Sequence, residues 1–206
     1  MKIVCLDLEG VLVPEIWISF AERTGIPEFS RTTRDEPNYD TLMKYRLKLL
    51  AEHKLGLPDI QKVICAMGPM PGAREFLDQL REDYEVIILS DTFYEFAHPL
   101  MRQLAWPTLF CNSLAADADG VVVNYHLRMP EQKREAVKRF REMNFTVVAA
   151  GDSYNDTAML AEAHAGIFYH PPAAVIRQFP QYPVTYSYAD LRAEIDRAFV
   201  RVPELA

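Results

Sequence analysis

The sequence predicts an α/β, Rossmann-like fold: a parallel sheet with helices on both faces, a small β ribbon, and a helical cap domain inserted near the amino terminus. Three observations predict it. Short runs that are apolar throughout, the first being Ile3-Val4-Cys5-Leu6, alternate with amphipathic helical stretches, as strands buried on both faces do. The stretch from about Pro14 to Gly68 breaks that alternation and reads as helix after helix. Two of the apolar runs end in acidic clusters, which a parallel sheet would bring to the edge where its ligands bind.

In order along the chain, the first strand breaks at Asp7-Leu8-Glu9-Gly10. Pro14 suits the first turn of a helix through Glu15-Ile16-Trp17-Ile18-Ser19-Phe20, a second helix runs from about Asn38 to His53, and a third follows Pro58. Residues 14–69 are therefore expected to form the cap domain, and 1–13 with 70–206 the α/β core. A helix from Pro71 to Arg81, with Phe76, Leu77 and Leu80 inward, precedes a strand at Glu85-Val86-Ile87-Ile88-Leu89. Further strands are expected at Thr108 to Cys111, Phe145 to Ala150 and Gly166 to Tyr169. Asp119-Gly120 is a hairpin turn signal before Val121 to His126 and predicts the ribbon. Glu131 to Met143 reads as a helix with Val137, Phe140 and Met143 inward.

Half of the 206 residues are hydrophobic, enough for a sizeable core. A net charge of -7 disfavours nucleic acid and anionic lipid as partners, since both reward clustered Lys and Arg. The three cysteines, Cys5, Cys65 and Cys111, are odd in number, far apart and set in apolar segments, which suits small core residues in a reducing cytosol. The apolar stretch after Met1-Lys2 is too short for a signal peptide, and no run approaches the roughly 20 residues of a membrane span. A cytoplasmic, soluble protein is expected, as monomer or homodimer.

Asp7 and Glu9 are two apart, so strand alternation sends both to one face at the carboxyl edge of the sheet. One carboxylate at such an edge can attack phosphorus while its neighbour handles the leaving group's proton. Gly151-Asp152-Ser153-Tyr154-Asn155-Asp156 follows another strand end, and Asp152 and Asp156, four apart, could share a helical face there. Hard oxygen donors from Asp7, Asp152 and the backbone near Glu9, with no histidine, suit Mg²⁺. Leu89-Ser90-Asp91-Thr92 offers a hydroxyl and backbone N–H groups just before an expected helix, a geometry that binds phosphate or simply caps the helix. Lys133, Arg134 and Lys138 compete to supply the cation that screens a transferring phosphoryl group.

These four segments, Asp7-Leu8-Glu9-Gly10-Val11, Leu89-Ser90-Asp91, Lys133 and Gly151-Asp152-Ser153-Tyr154-Asn155-Asp156, occur in the order of the motifs of the haloacid dehalogenase-like phosphatases. The chain resembles that superfamily over nearly its whole length, and within it the phosphoserine phosphatase group, most closely those members that also transfer the phosphoryl group to homoserine. The resemblance implies that Asp7 becomes aspartyl-phosphate and that Glu9 is general acid and base. It implies that Asp7, the Glu9 carbonyl and Asp152 hold Mg²⁺ with Asp156 supporting the metal shell. It also implies that Ser90 and Lys133 hold the phosphoryl oxygens with Asn155 nearby, in serine or threonine biosynthesis. Two departures stand out: Glu9 where the family usually has Asp, and Asp91-Thr92 where phosphoserine phosphatases commonly have glycines. The Asp91 backbone, rather than its side chain, is expected to contact substrate.

On the long cap helix, Arg46 has Leu42, Met43, Leu49 and Leu50 as its neighbours at three and four residues, so this cation is not on a solvated face. It wants a planar anion such as a carboxylate, from substrate or from a cap glutamate. Lys44 and Lys48, with Asp40 and Glu52 among their neighbours, read as surface charges. Glu15 could receive an ammonium group, and Tyr39 would line the pocket; Glu15, Tyr39 and Arg46 also match substrate-contacting positions of the resembled group. Ammonium and carboxylate sites on either side of a phosphate site describe phosphoserine, with water or homoserine as acceptor. The rival within enzymes is a phosphatase for another small phosphomonoester. From another class, the rival is a phospho-accepting signalling module, against which the cap and the nearby acid Glu9 both speak.

Overall fold

Strand β1 (Lys2–Leu6) is the hub of the computed structural model, which describes residues 1–32, 35–36 and 38–202. It pairs in parallel with β2 (Glu85–Phe93) on one side and β5 (Thr146–Gly151) on the other. Outward from β2 come β3 (Thr108–Ala116), parallel to it, and β4 (Val122–His126), antiparallel. Outward from β5 come β6 (Ala165–Tyr169) and β7 (Val184–Thr185), both parallel. The single sheet thus has the order β4-β3-β2-β1-β5-β6-β7.

Alternation along β1 and β5 divides the interior in two. Val4, Leu6, Val148 and Ala150 join one apolar cluster, whereas Ile3, Cys5, Val147 and Ala149 join the other. Each Val, Leu or Ile among them contributes roughly 1.5–3 kcal/mol on full burial, which is why runs without polar interruption occupy the centre. On the first face lie α4 (Ala73–Asp83), α5 (Tyr94–Gln103) and α9 (Tyr188–Arg201), through Phe76, Phe96 and Leu191. On the second lie α6 (Gln132–Glu142), α7 (Thr157–Glu162) and α8 (Ala173–Gln178), through Val137, Met159 and Val175.

Between β1 and α4 run α1 (Ile16–Thr24), α2 (Tyr39–Glu52) and α3 (Leu57–Cys65), with no strand among the described residues. The Asn38 side chain caps α2 by accepting the Thr41 N–H at 2.9 Å. Helix α1 begins at Ile16, so Pro14 lies before it rather than in its first turn, and Glu15 is its N-cap. The apolar side of this helical segment does not close on itself. Trp17 meets Phe96 of α5 at 5.4 Å between ring centroids and stacks on Phe29 at 5.8 Å, within the same cluster as β1.

Helix α5, the helix expected after the Ser90 segment, carries Pro99 in its interior, where the missing N–H leaves the Glu95 carbonyl without its helical donor. The Gln61 side chain of α3 fills that vacancy at 3.1 Å. The expected ribbon is β3 with β4, closed by a turn in which Gly120, at φ 82°, donates to the Asp117 carbonyl at 3.0 Å. Its tip and flank touch the helical segment: the Leu57 N–H donates to the Gly120 carbonyl at 2.8 Å, and the Tyr125 hydroxyl to Asp40 at 2.6 Å.

Other expectations differ from what is observed. Met143 is exposed, because α6 ends at Glu142 and the chain turns away. Cys65 is also exposed, while Cys5 and Cys111 are buried, and all three are free thiols. Strand β2 continues through Ser90 to Phe93, so Ser90 does not cap a helix; α5 starts four residues later. Among the described residues no helix is long and apolar enough to cross a membrane.

Candidate active site

The parallel pairing of β1 with β5 brings the two acidic strand ends together. The Asp7 N–H donates to the Ala150 carbonyl at 3.0 Å, continuing the ladder one residue past β1, so Asp7 and Asp152 emerge side by side. The chain then turns at Gly10, whose φ of 77° lies in the left-handed region, and a Cβ there would stand 2.6 Å from the Asp152 carboxylate. Glycine is required on both counts. Gly10→Ala is expected to lower stability by about 1–3 kcal/mol in urea unfolding, since backbone strain and overlap with a buried acid add.

Asp7, Asp152 and Asp156 are all buried, with one carboxylate oxygen from each within 4.8 Å of the others. Asp156 does not share a regular helical face with Asp152: residues Tyr154–Asp156 form a 3-10 turn, and the Asp156 carboxylate folds back to accept the N–H groups of Asp152 and Ser153 at 2.9 and 3.1 Å. Its other oxygen meets Lys133 Nζ at 2.8 Å. Of the three competing cations, Lys133 alone enters this group; it is 4% exposed and also 2.9 Å from Asp7 Oδ1. Arg134 instead pairs with Glu131 and Glu162 at the surface, and Lys138 is only half-buried.

One ammonium for three carboxylates leaves excess negative charge. Burial, then Asp156, pushes Asp7 well above the usual carboxylate range, and the same causes in the same order push Asp152 up to about 7. Burial alone would lower Lys133, but Asp156, Asp7 and Asp91 more than reverse this and hold it well above its ordinary value. The donor set fits Mg²⁺: hard oxygens, no nitrogen or sulfur, and uncompensated charge. Asp156 has both oxygens engaged by protein donors, so Asp7 and Asp152 are the carboxylates left for a cation. The turn's hydrogen bonds use the Leu8 and Val13 carbonyls, and among the described residues the Glu9 carbonyl has no backbone donor.

Glu9 shares the cavity with Asp7, accepts the Ile16 N–H at 2.9 Å and is hydrogen-bonded to the Thr92 side chain, contacts that hold its carboxylate in place. Burial, reinforced by Glu15, pushes Glu9 up to about 7, a value matched to acid and base work near neutrality. Ser90 is buried at the same edge, its Oγ accepting the Thr92 N–H at 3.2 Å.

The cavity enclosed by these groups measures about 120 Å³ and extends to the helical segment, where Glu15, Trp17, Tyr39 and Arg46 line it. Glu15 makes no side-chain capping bond to α1. Arg46 is 7% exposed; its guanidinium lies 4.5 Å from the Trp17 ring centroid and donates to the Arg31 carbonyl at 2.9 Å. No carboxylate pairs with it among the described residues, and its buried Nε has no hydrogen-bond partner. Burial lowers Arg46 to about 10, with Tyr39, Glu9 and Glu15 pulling the other way. A buried donor left unsatisfied costs about 1–3 kcal/mol, and a planar anion in the cavity would remove that cost. By contrast Lys44 and Lys48 pair with Asp40 and Glu52 in solvent, as expected.

Asp91 and Asn155 stand at the cavity's other side. The Asp91 carbonyl accepts from the Tyr39 hydroxyl and the Asn112 amide, each at 3.1 Å. Its carboxylate accepts from Gln132 Nε2 at 2.9 Å and Asn155 Nδ2 at 3.3 Å. Trp17, Asn112 and Gln132 were not expected at the site, whereas Thr92 belongs to the strand end that was. Only Trp17 carried a usable signal, as an aromatic two residues after Glu15.

Residues 1–164 match the family of haloacid dehalogenase-like hydrolases. Over 201 residues, covering 98% of each chain, the protein is 58% identical to phosphoserine phosphatase ThrH of Pseudomonas aeruginosa. It is 56% identical over 198 residues to a phosphoserine phosphatase of Pseudomonas syringae pv. tomato, covering 96% of this chain and 84% of the relative. Among solved structures it is similar to phosphoserine phosphatase from T. onnurineus, with a TM-score of 0.72, 25% identity and 94% of each chain covered.

Proposed function

Because this chain belongs to the haloacid dehalogenase-like hydrolase family, we infer that its cavity hydrolyses O-phosphoserine through a phosphoryl-enzyme formed on Asp7. The observation that carries the substrate is Arg46: a buried guanidinium with a vacant Nε, in one small chamber with Asp7, Lys133 and Asp152. A carboxylate engaging Arg46 and an ammonium at Glu15 bracket the phosphoryl site, and phosphoserine presents both.

Asp7, Asp152 and the Glu9 carbonyl would hold Mg²⁺, which when bound neutralises phosphoryl charge and offsets the crowding of carboxylates. Asp156 serves by fixing Lys133 and the Asp152 backbone. Lys133 and the Leu8 N–H both hold Asp7 Oδ1, setting the plane of the nucleophilic carboxylate. The carboxylate attacks phosphorus, and the phosphorus–oxygen bond to serine breaks as Glu9 delivers its proton to the departing oxygen. Glu9 then takes a proton from the acceptor that attacks the phosphoaspartate. Ser90, Lys133 and Asn155 hold the phosphoryl oxygens through both steps. Tyr39 lines the serine side.

Residues 14–69 act as a cap that limits water, and an amino-acid alcohol such as homoserine in the vacated serine place receives the phosphoryl group instead. Glu9 beside Asp7 supports turnover rather than a lasting phosphoaspartate, against a signalling module. Unpaired Cys5, Cys65 and Cys111 support a cytoplasmic setting. With phosphoserine and Mg²⁺ the protein should release phosphate, and added homoserine should divert phosphoryl into phosphohomoserine, separable by chromatography. No phosphate release would reject the phosphatase reading; release with no phosphohomoserine would reject transfer alone.

A further inference from the structure

The catalytic scheme leaves the Asp91 carboxylate without a task, although an anion beside a phosphoryl site is costly unless it does something there. Its surroundings are built. Gln132, 4% exposed, spends its whole carboxamide: Oε1 accepts from Arg128 Nε at 3.1 Å, and Nε2 donates to the Ser90 carbonyl at 2.6 Å and to Asp91 Oδ1 at 2.9 Å. With one oxygen pinned by Gln132, the other faces Asn155 Nδ2 at 3.3 Å and Lys133 Nζ at 3.9 Å. The Asn155 carbonyl, in turn, accepts the Ser153 hydroxyl.

A carboxamide is nearly symmetric in shape, so its oxygen and nitrogen exchange places readily unless the neighbours differ in hydrogen-bonding sense. An ionised carboxylate only accepts, whereas a hydroxyl can donate. Asp91 on one side and Ser153 on the other therefore leave a single orientation for Asn155, with Nδ2 toward Asp91 and one N–H unspent beside the cavity. In the flipped orientation a carbonyl oxygen would face the phosphoryl oxygens and repel them.

We propose that Asp91 is a positioning residue: its carboxylate, pinned by Gln132, orients the Asn155 carboxamide so that the free N–H donates to a phosphoryl oxygen. The inference rests on the reading of the cavity as a phosphoryl-transfer site. Because a hydrogen bond to a charged group is at stake, loss of the Asn155 donor is expected to weaken inorganic phosphate binding about tenfold.

The test is a double-mutant cycle on the affinity of the Mg²⁺-loaded enzyme for inorganic phosphate, measured by calorimetry beside thermal melts. Asn155→Ala and Asp91→Ala should each weaken phosphate about tenfold, while Asp91→Ala in the Asn155→Ala background should cost less than about twofold. Should Asp91→Ala melt early, Asp91→Asn keeps the size and an oxygen for Gln132 while losing the acceptor-only sense, and must show the same coupling. Independent, multiplying losses would overturn the proposal, as would unchanged affinity in Asn155→Ala. So would tighter phosphate binding by Asp91→Ala in both backgrounds, the signature of simple charge repulsion. If the unmutated enzyme neither binds phosphate nor hydrolyses phosphoserine, the functional reading falls and this inference with it. If it does both and the cycle is additive, only this inference falls.

Discussion

Asp7→Asn is expected to abolish phosphate release from phosphoserine, by at least about a thousandfold in kcat, because an amide is a poor nucleophile and a weaker ligand for a cation. A stopped assay for phosphate at saturating phosphoserine and Mg²⁺ measures it, and activity within tenfold of the unmutated enzyme would remove Asp7 from the chemistry. The same change should stabilise the metal-free fold. Burial and Asp156 raise the Asp7 pKa, so at neutral pH its ionised form is held less favourably in the folded chain than in the unfolded one. For a carboxyl raised on folding, the penalty is absent below the unfolded value of about 4 and accumulates as pH rises toward the folded value. In chelator, Asp7→Asn should therefore melt above the unmutated protein at pH 7, with the difference shrinking toward pH 4. Saturating Mg²⁺ should raise the melting temperature of the unmutated protein more than that of the variant. A variant that melts lower in chelator at pH 7 would mean that Lys133, having lost one partner, matters more than the crowding it relieves.

Arg46→Ala should lower kcat/KM for phosphoserine by about a hundredfold while changing that for a small aryl phosphate by less than about threefold. The difference arises because only phosphoserine brings a carboxylate to the vacant Nε. Arg46→Lys should fall between, since an ammonium keeps the charge but loses the planar fork and most of its stacking on Trp17. Arg46 is packed among Leu42, Met43, Leu49 and Leu50, so truncation will also cost stability. The ratio of the two substrates removes that effect, because both are assayed on the same folded fraction. Equal losses for the two substrates would assign Arg46 to holding α2 in place.

What the sequence made legible was whatever periodicity or strand ends encode locally. The acidic ends of β1 and β5, the helical interruption between β1 and α4, and the apolar setting of Arg46 are all of this kind. Lys133 could not be separated from Arg134 and Lys138 by spacing, because the choice is made by a contact with Asp7, 126 residues away in the chain. Gln132 gave no signal for a similar reason: at the head of a helix it reads as an ordinary polar residue, and its partners Ser90 and Asp91 lie on another strand. Helix α5 was expected only as a helix following Ser90; its run through Pro99 was not legible, because the cost of that proline is met by Gln61 from a different helix. Strand β7 is two residues long and carries no period at all.

The rings of Trp17, Phe29 and Phe96 have one further consequence. Among the described residues of 14–69, the aromatic side of the segment is continuous with the apolar layer that covers β1, Trp17 bridging from Phe29 to Phe96. Swinging it outward as a rigid lobe would wet that shared layer at a cost comparable to the stability of the whole molecule. The segment is therefore expected to melt with the sheet in one cooperative transition, coincident by fluorescence and circular dichroism.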